Sequence, residues 1–216
     1  MSRERVAVFV DGFNLYHAIN DLDAPSNHLK WVNLRTLAET YVPQSDFRLV
    51  AVKYFSAYAT WRPGAYKRHR ELIDALDSVG VQVVLGKFKE KDRFCFRCEN
   101  RWKAHEEKET DVNIAIHLIS DAYQNLFDVA LLITADSDLT PAVRMLRSRT
   151  NKSVRIVFPI GLKSGELAAV AGGGGATRKM KRVHLERSLF PREVRDATGR
   201  TVAIRPSKYD PPATST

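Results

Sequence analysis

The chain has 216 residues, of which 44% are hydrophobic and 27% charged, a composition typical of a globular protein with one principal domain. Its apolar runs never approach the roughly 18 residues that a membrane-spanning helix needs, so we expect a soluble protein. Thirty-four Lys and Arg against 25 Asp and Glu leave a formal net charge of +9, which favours a polyanionic partner such as nucleic acid but also serves solubility.

The N-terminal segment, MSRERVAVFVDG, has only five apolar residues before Asp11. A secretory signal needs a longer apolar stretch, so we expect a cytoplasmic protein. In that compartment the two cysteines are expected to stay reduced.

Five short apolar runs predict β-strands, and helical patterns separate them along the chain. The strands are predicted at 6–10, 48–55, 81–85, 129–134 and 153–158, and the helices at 12–20, 32–41, 64–79, 107–125 and 140–149. Nearly continuous apolar strands are typical of a sheet that is covered on both faces. The alternation therefore predicts an α/β fold in which a central, mainly parallel, five-stranded sheet lies between two layers of helices.

Three segments depart from this alternation. Residues 86–106 form a polar insertion between the third strand and the helix at 107–125. The four glycines from Gly172 to Gly175 stand where a helix would otherwise continue, and each costs a helix about 1 kcal/mol, so we expect a loop there. After about residue 190, TGR favours a small hairpin and the last Pro, Ser and Thr residues indicate disorder. We therefore assign residues 1–190 to one domain and residues 191–216 to a C-terminal extension.

Four aspartates are predicted to meet at the carboxyl edge of the sheet, where parallel α/β folds bind ligands. Asp11 directly follows the first strand, and Asp136 and Asp138 follow the fourth. Asp111 heads an apolar stripe of the helix at 107–125 and should point towards the same edge. Because clustered carboxylates raise one another's pKa values, such a group is costly unless cations fill it. Mg²⁺ or Mn²⁺ suits these oxygen ligands and predicts metal-assisted hydrolysis.

Each aspartate also has a structural interpretation. Asp138 or Thr140, before Pro141, fits a helix N-cap, and Asp11 with Gly12 fits a plain turn. Capping does not explain why four carboxylates arrive at one edge, so we favour the metal site.

Uncharged polar and basic residues accompany the aspartates. Asn14 follows Asp11 by one helical turn, while Thr134 and Ser137 can donate hydrogen bonds to a phosphate or orient the aspartates. Basic and aromatic residues alternate at 61–70 and 87–94, as in proteins that bind single-stranded RNA, although a solvated helix face explains the first stretch equally well. The candidate substrate-binding residues are Thr134, Ser137, Lys108, Arg62, Lys67, Arg68 and Lys87.

Three segments, VFVDGFNLYHAI, EKETDVNIAIHLISDAY and LLITADSDLTPAVRML, resemble in order and spacing the signature segments of NYN domains, most closely those of the bacterial LabA-like branch. NYN domains are PIN-like metal-dependent ribonucleases, and the resemblance spans residues 5–170. It implies a PIN-like fold, a metal-binding set of Asp11, Asp111, Asp136 and Asp138, and Asn14 as a polar companion in catalysis. It further implies an RNA substrate and raises the expectation of a homodimer.

We therefore predict a metal-dependent endoribonuclease. Two alternatives stay open, namely a non-catalytic RNA-binding or regulatory module of the same fold, and a DNA nuclease that differs only in its substrate. The intact acidic set argues against the first alternative.

Cys95 and Cys98 form one CxxC motif inside the insertion. A structural Zn²⁺ site normally has four protein ligands, and no second CxxC motif is present. A zinc ion would therefore need His105 or another chain, and a reduced dithiol in a loop is the favoured interpretation.

Overall fold

The computed structural model describes residues 3–22 and 24–212. Its centre is a sheet of six strands: β1 (Glu4–Asp11), β2 (Phe47–Ser56), β3 (Gln82–Leu85), β6 (Val129–Ile133), β7 (Ser153–Phe158) and β8 (Thr177–Lys179). Strands β4 (Lys87–Phe94) and β5 (Arg101–Lys108) form a separate hairpin. The order across the sheet is β3-β2-β1-β6-β7-β8, and every neighbouring pair is parallel. The predicted α/β fold with a central parallel sheet is confirmed, with six strands instead of five.

Seven helices accompany the sheet in the described part of the chain: α1 (Gly12–Asn20), α2 (Leu34–Tyr41), α3 (Pro63–Ser78), α4 (Thr110–Tyr123), α5 (Thr140–Arg149), α6 (Gly165–Ala171) and α7 (Arg182–Glu186). None of the helices in these ranges is long and apolar enough to cross a membrane.

The two faces of the sheet bury separate cores, which makes the fold a three-layer sandwich. Successive residues of β1 point to opposite faces, so that Val8 belongs to one core and Phe9 to the other. The first core is covered by α1, α2, α3 and α7, and the second by α4, α5 and α6. The nearly continuous apolar strands are explained by this double coverage.

The polar insertion is an antiparallel hairpin formed by β4 and β5. It packs beside the sheet through Phe88, whose ring lies edge-on against Phe13 with centroids 5.5 Å apart. The hairpin extends to Lys108, so α4 begins at Thr110 and not at residue 107 as predicted. Most side chains of β4 are exposed, and a strand that buries little apolar surface gives no apolar run by which to predict it.

The glycine run ends α6 and leads into the unpredicted strand β8. Gly172 adopts the left-handed conformation that often terminates a helix, with φ of 116°. A single 3₁₀ turn at Gly174–Ala176 then precedes β8. The expected interruption of the helix is therefore present, and it includes one 3₁₀ turn.

The C-terminal segment forms the predicted hairpin, with strands β9 (Glu193–Arg195) and β10 (Thr201–Ile204) and a turn at Gly199. Beyond it, Tyr209 is buried in the first core. The predicted disorder of the last residues falls partly on 213–216, which lie outside the described residues. The domain boundary at residue 190 stays a prediction.

Candidate metal centre

Three carboxylates converge at the carboxyl edge of the sheet. Asp11 is the last residue of β1, and Asp136 lies three residues beyond β6, which is the parallel neighbour of β1. Asp111 lies in the first turn of α4. One carboxylate oxygen from each of the three lies within 4.8 Å of the other two. This group is called the acidic triad below.

Asp11 is the most deeply buried member of the triad, with 3% of its surface exposed. Its Oδ1 accepts a hydrogen bond of 2.9 Å from the backbone N–H of Asn14, and its Oδ2 accepts one of 2.9 Å from the Thr134 hydroxyl. The same carboxylate therefore caps α1 and faces the other two aspartates. The capping and metal-site interpretations of this residue do not exclude each other.

Thr134 and Asn14 connect the two segments that carry Asp11 and Asp136. The Thr134 Oγ1 accepts from the backbone N–H of Asp136 at 3.0 Å while its hydroxyl donates to Asp11. The Asn14 Oδ1 accepts from the backbone N–H of Ala135 at 2.8 Å. These bonds fix the end of β1 relative to the segment that follows β6, so both residues position the carboxylates.

Asp138 occupies a different place from the other three aspartates. It is exposed, like its neighbour Ser137, and it lies outside the triad. The Asp136 Oδ1 accepts from the Asp138 backbone N–H at 2.9 Å, so Asp136 caps the 3₁₀ turn at Ser137–Leu139. The expectation that Asp138 or Thr140 caps α5 is wrong, because the cap position is Leu139 and has no side-chain hydrogen bond.

Burial and mutual repulsion disfavour the charged forms of the triad. Burial raises the pKa of Asp11 to about 6, although the bonds from Asn14 and Thr134 oppose the change. Burial, followed by the charges of Asp136 and Asp11, likewise raises the pKa of Asp111 to about 6. A divalent cation would relieve both costs, because it replaces lost water ligands and neutralises the repulsion.

Glu107 is a neighbour of the triad that the sequence did not reveal. Its charge raises the pKa values of both Asp11 and Asp111. Its Oε1 accepts from the backbone N–H of Thr110 at 2.8 Å, at the start of α4. An acidic residue three positions before the start of a helix could have indicated this role. The predicted helix began at residue 107, however, so Glu107 was placed inside it.

The candidate substrate-binding residues lie in several environments. Thr134 is buried and bonded to Asp11, whereas Arg62 and Lys67 are exposed. Burial raises the pKa of Tyr209 in the C-terminal segment, and the neighbouring Arg68, which is partly buried, opposes this change. Lys87 and Lys108 are exposed cross-strand partners at the base of the β4–β5 hairpin. They form ion pairs with Glu109 at 2.5 Å and with Glu106 at 3.4 Å, respectively.

A cluster of aromatic rings joins the start of α1 to the hairpin. Phe13, two residues after Asp11, contacts Phe88, and Trp61 lies edge-on to Phe88 with centroids 4.6 Å apart. The His105 ring stacks on Trp61 at 3.7 Å with an interplanar angle of 9°. All four rings are partly exposed. We call Phe13, Trp61, Phe88 and His105 the aromatic cluster.

His105 is therefore not a partner of the two cysteines. It pairs with Glu90 across the hairpin, whereas the cysteine turn begins beyond the pair Phe94 and Arg101. Four residues of strand separate the two places, a distance of about 13 Å. The His105 Nε2 faces Glu90 at 3.5 Å. The alternative in which His105 completes a zinc site with Cys95 and Cys98 is wrong.

Comparisons with known proteins agree with the fold. The family model described as "NYN domain" matches residues 5–172. The chain is 26% identical over 190 residues to 6-hydroxy-3-succinoylpyridine 3-monooxygenase of Pseudomonas putida, an alignment that covers 72% of this chain and 59% of that protein. The chain thus spans less than two thirds of that relative. A solved structure of a protein of unknown function from Vibrio parahaemolyticus shares the fold, with a TM-score of 0.54 and 22% identity over 83% of this chain and 94% of that chain.

Proposed function

The chain belongs to the NYN domain family, and from this premise we propose that it is a metal-dependent endoribonuclease that hydrolyses phosphodiester bonds at the acidic triad. The observation that carries the proposal is the convergence of three carboxylate oxygens within 4.8 Å at the carboxyl edge of a parallel sheet. Ligands bind at this edge in parallel α/β folds. The net charge of +9 favours a polyanionic substrate.

The triad suits Mg²⁺ or Mn²⁺. All three side chains offer carboxylate oxygens, which these hard ions prefer to nitrogen or sulfur. A divalent ion bound there would polarise the scissile phosphate and make water a better nucleophile. Asp11, Asp111 and Asp136 would hold the ion, and the exposed Asp138, whose charge also raises the pKa of Asp111, is proposed as an outer member of the set.

Neighbouring residues hold the carboxylates in place for the reaction. Thr134 donates to Asp11 and accepts from the backbone of Asp136, so that it keeps one Asp11 oxygen aimed away from solvent. Asn14 fixes the loop after β6 through its bond to Ala135. Ser137 is exposed beside Asp136, and we propose that its hydroxyl donates to a substrate phosphate.

Single-stranded RNA is the proposed substrate. The aromatic cluster begins at Phe13, two residues after Asp11, and offers partly exposed rings on which unpaired bases can stack. Exposed cations are proposed to bind the phosphates between the bases, two of them next to Trp61 and Phe88 in the sequence: Arg62, Lys87, Lys67 and Lys108. Arg68 is a weaker candidate, because its side chain is partly buried.

The monooxygenase in the name of the Pseudomonas putida relative represents a different chemistry. Oxygenases that use non-haem iron commonly bind it through two histidines and one carboxylate. The triad instead consists of three carboxylates, which favours hydrolysis.

The test is cleavage of a labelled single-stranded RNA by wild type, Asp136→Asn and Asp46→Asn, each with Mn²⁺, Mg²⁺ or EDTA. Asp46 is a matched control, since it is exposed just before β2, at the opposite edge of the sheet. We expect metal-dependent cleavage by wild type and Asp46→Asn. The cleavage rate of Asp136→Asn should fall more than about 100-fold, which is the upper range for the loss of a group that only supports a metal ligand.

The other outcomes separate the alternatives. Equal cleavage by Asp136→Asn would contradict the proposed site. RNA binding without cleavage under any metal would favour the non-catalytic module. Preferential cleavage of DNA of the same sequence would favour the DNA nuclease.

A further inference from the structure

The tip of the β4–β5 hairpin carries the two cysteines far from the acidic triad. The hairpin starts beside the sheet, where the Gly86 N–H donates to the Ser56 carbonyl at 2.8 Å. Its strands pair from Lys87 and Lys108 at the base to Phe94 and Arg101 at the tip. Seven residues of antiparallel strand correspond to about 24 Å. The feature is therefore independent of the proposed nuclease site.

The turn at the tip holds the CxxC motif just beyond Phe94 and Arg101, the last cross-strand pair of the hairpin. The Cys95 N–H donates to the Asn100 carbonyl at 2.9 Å and closes the turn. Both thiols are free, and Cys98 is exposed. Two cysteines at this spacing can bind one metal ion as thiolates, and we call the turn that carries them the knuckle.

One chain supplies only half of a structural zinc site, which normally has four protein ligands. Among the described residues, the acidic triad forms the one group of three or more His, Cys, Asp or Glu side chains close enough to share an ion. No third ligand of these types therefore stands beside Cys95 and Cys98 in that part of the chain. His105, the nearest histidine along the hairpin, is stacked on Trp61.

The surface around the knuckle is unusually apolar for an exposed hairpin. Phe96, between the two cysteines, is 92% exposed, and its ring lies edge-on to Phe94 with centroids 5.1 Å apart. Trp102 on the facing strand is also exposed. Several large exposed aromatic side chains at one place indicate a surface that another protein covers.

We propose that Cys95 and Cys98 from two copies of this chain bind one Zn²⁺ as a tetrathiolate and thereby join two hairpin tips. Two knuckles supply the four ligands that a closed tetrahedral site needs. A zinc ion with four thiolates carries a charge of −2, which Arg97 and Arg101 can balance. A second hairpin tip bound to the same zinc ion would also cover Phe96.

The experiment uses the full chain, reduced and purified with excess Mg²⁺, and adds Zn²⁺ alone as the probe. Bound zinc is counted after desalting, and the molar mass in solution is measured by light scattering. The variants are Cys98→Ser, the double Cys95→Ser and Cys98→Ser variant, and Phe96→Ser as a polar control at the same turn. Repeating the count in Asp136→Asn ensures that zinc on the acidic triad is not included.

We expect one zinc for every two chains and a dimer that a strong chelator dissociates. Both cysteine variants should be monomers without bound zinc, while Phe96→Ser keeps its zinc. Cobalt in place of zinc should show the charge-transfer absorption of thiolate ligands. One zinc per monomeric chain, no retained zinc, or a dimer that survives both chelator and Cys98→Ser would each overturn the proposal.

Discussion

At the scale of single residues, Thr134 is the residue that most directly holds two members of the acidic triad, Asp11 and Asp136, in place. It donates to Asp11 and accepts from the backbone of Asp136, and it is buried at the end of β6. A hydroxyl is the smallest side-chain group that can do both. The sequence left two roles open for Thr134, binding a substrate phosphate or orienting the aspartates, and its contacts favour the second.

Replacing Thr134 by valine should impair cleavage, because it removes the hydroxyl while keeping the shape of the side chain. We expect the rate to fall about 10- to 100-fold, the usual effect of losing a group that orients a metal ligand. Thr134→Ser keeps the hydroxyl and should retain most of the rate. The check is the initial cleavage rate of both variants as Mn²⁺ is varied. Equal rates for Thr134→Val and wild type would show that the hydroxyl does not position Asp11.

The raised pKa values of Asp11 and Asp111 have a defined effect on stability. A carboxyl group whose pKa is raised in the folded state stabilises the protein fully at pH values below the pKa of the unfolded state, which is near 3.8. This contribution is lost as the pH rises through the folded-state pKa of about 6. For the deeply buried Asp11, the change corresponds to at most about 3 kcal/mol. Because a metal binds the deprotonated carboxylates, its binding should strengthen over the same interval.

We therefore expect the increase in melting temperature produced by Mn²⁺ to grow from about pH 5 to about pH 7. The measurement compares melting temperatures in Mn²⁺ and in EDTA at each pH, for wild type and Asp136→Asn. The variant removes one ligand and one repelling charge, so it should respond less to Mn²⁺ and be more stable than wild type in EDTA near pH 7. A Mn²⁺ effect that is the same at every pH would contradict the assignment.

At the scale of elements, the sequence predicts those strands that bury apolar surface on both sides. Strands β1 and β6 are such strands, and because they pair in parallel, Asp11 lies close to Asp136. The position of Asp111 followed from the apolar stripe of α4, whose members Leu118 and Ala122 are buried. Strands β4 and β8 were missed because cross-strand hydrogen bonds hold them while most of their side chains are exposed. The place of Glu107 could not be predicted without the end of β5.

The junction between β1 and α1 leaves no room for a side chain at Gly12. A Cβ atom there would lie 2.5 Å from the Phe55 carbonyl oxygen and 2.6 Å from the Tyr54 ring. The carbonyl belongs to β2 and cannot move without disturbing the sheet. The close approach of the two segments is therefore part of how Asp11 is placed.

Gly12→Ala should lower the free energy of unfolding by about 1 to 3 kcal/mol, the usual cost of overpacking a core. It should also reduce cleavage, since a shifted α1 would move the N–H of Asn14 away from Asp11. Gly165→Ala is the matched control, because a Cβ atom at that helix position meets nothing within 4 Å. Urea unfolding of both variants is the measurement. Equal stability of the two variants would mean that the junction adjusts without cost.

At the scale of the whole molecule, the C-terminal segment completes the first core. The Trp31 indole N–H donates to the Pro191 carbonyl at 2.8 Å, and Val194, Ala203 and Tyr209 are buried in that core. The Ile204 N–H donates to the Glu71 carboxylate at 3.0 Å, which ties the second hairpin to α3. These contacts indicate that residues beyond 190 stabilise the domain, although their sequence suggested an extension.

Two deletions test whether the domain folds without this segment. Deleting residues 191–216 would expose the first core around Trp31, and we expect the free energy of unfolding to fall by several kcal/mol, roughly the hydrophobic stabilisation of two or three buried side chains. Deleting only residues 211–216 keeps Tyr209 and the ion pair of Arg205 with Asp210, so its stability should match that of the full chain. Urea unfolding compares the midpoints and slopes of the three proteins. If the longer deletion unfolds at the same urea midpoint as the full chain, residues 1–190 form an independently folding domain. If only the longer deletion loses stability, residues 191–210 are part of the core of that domain.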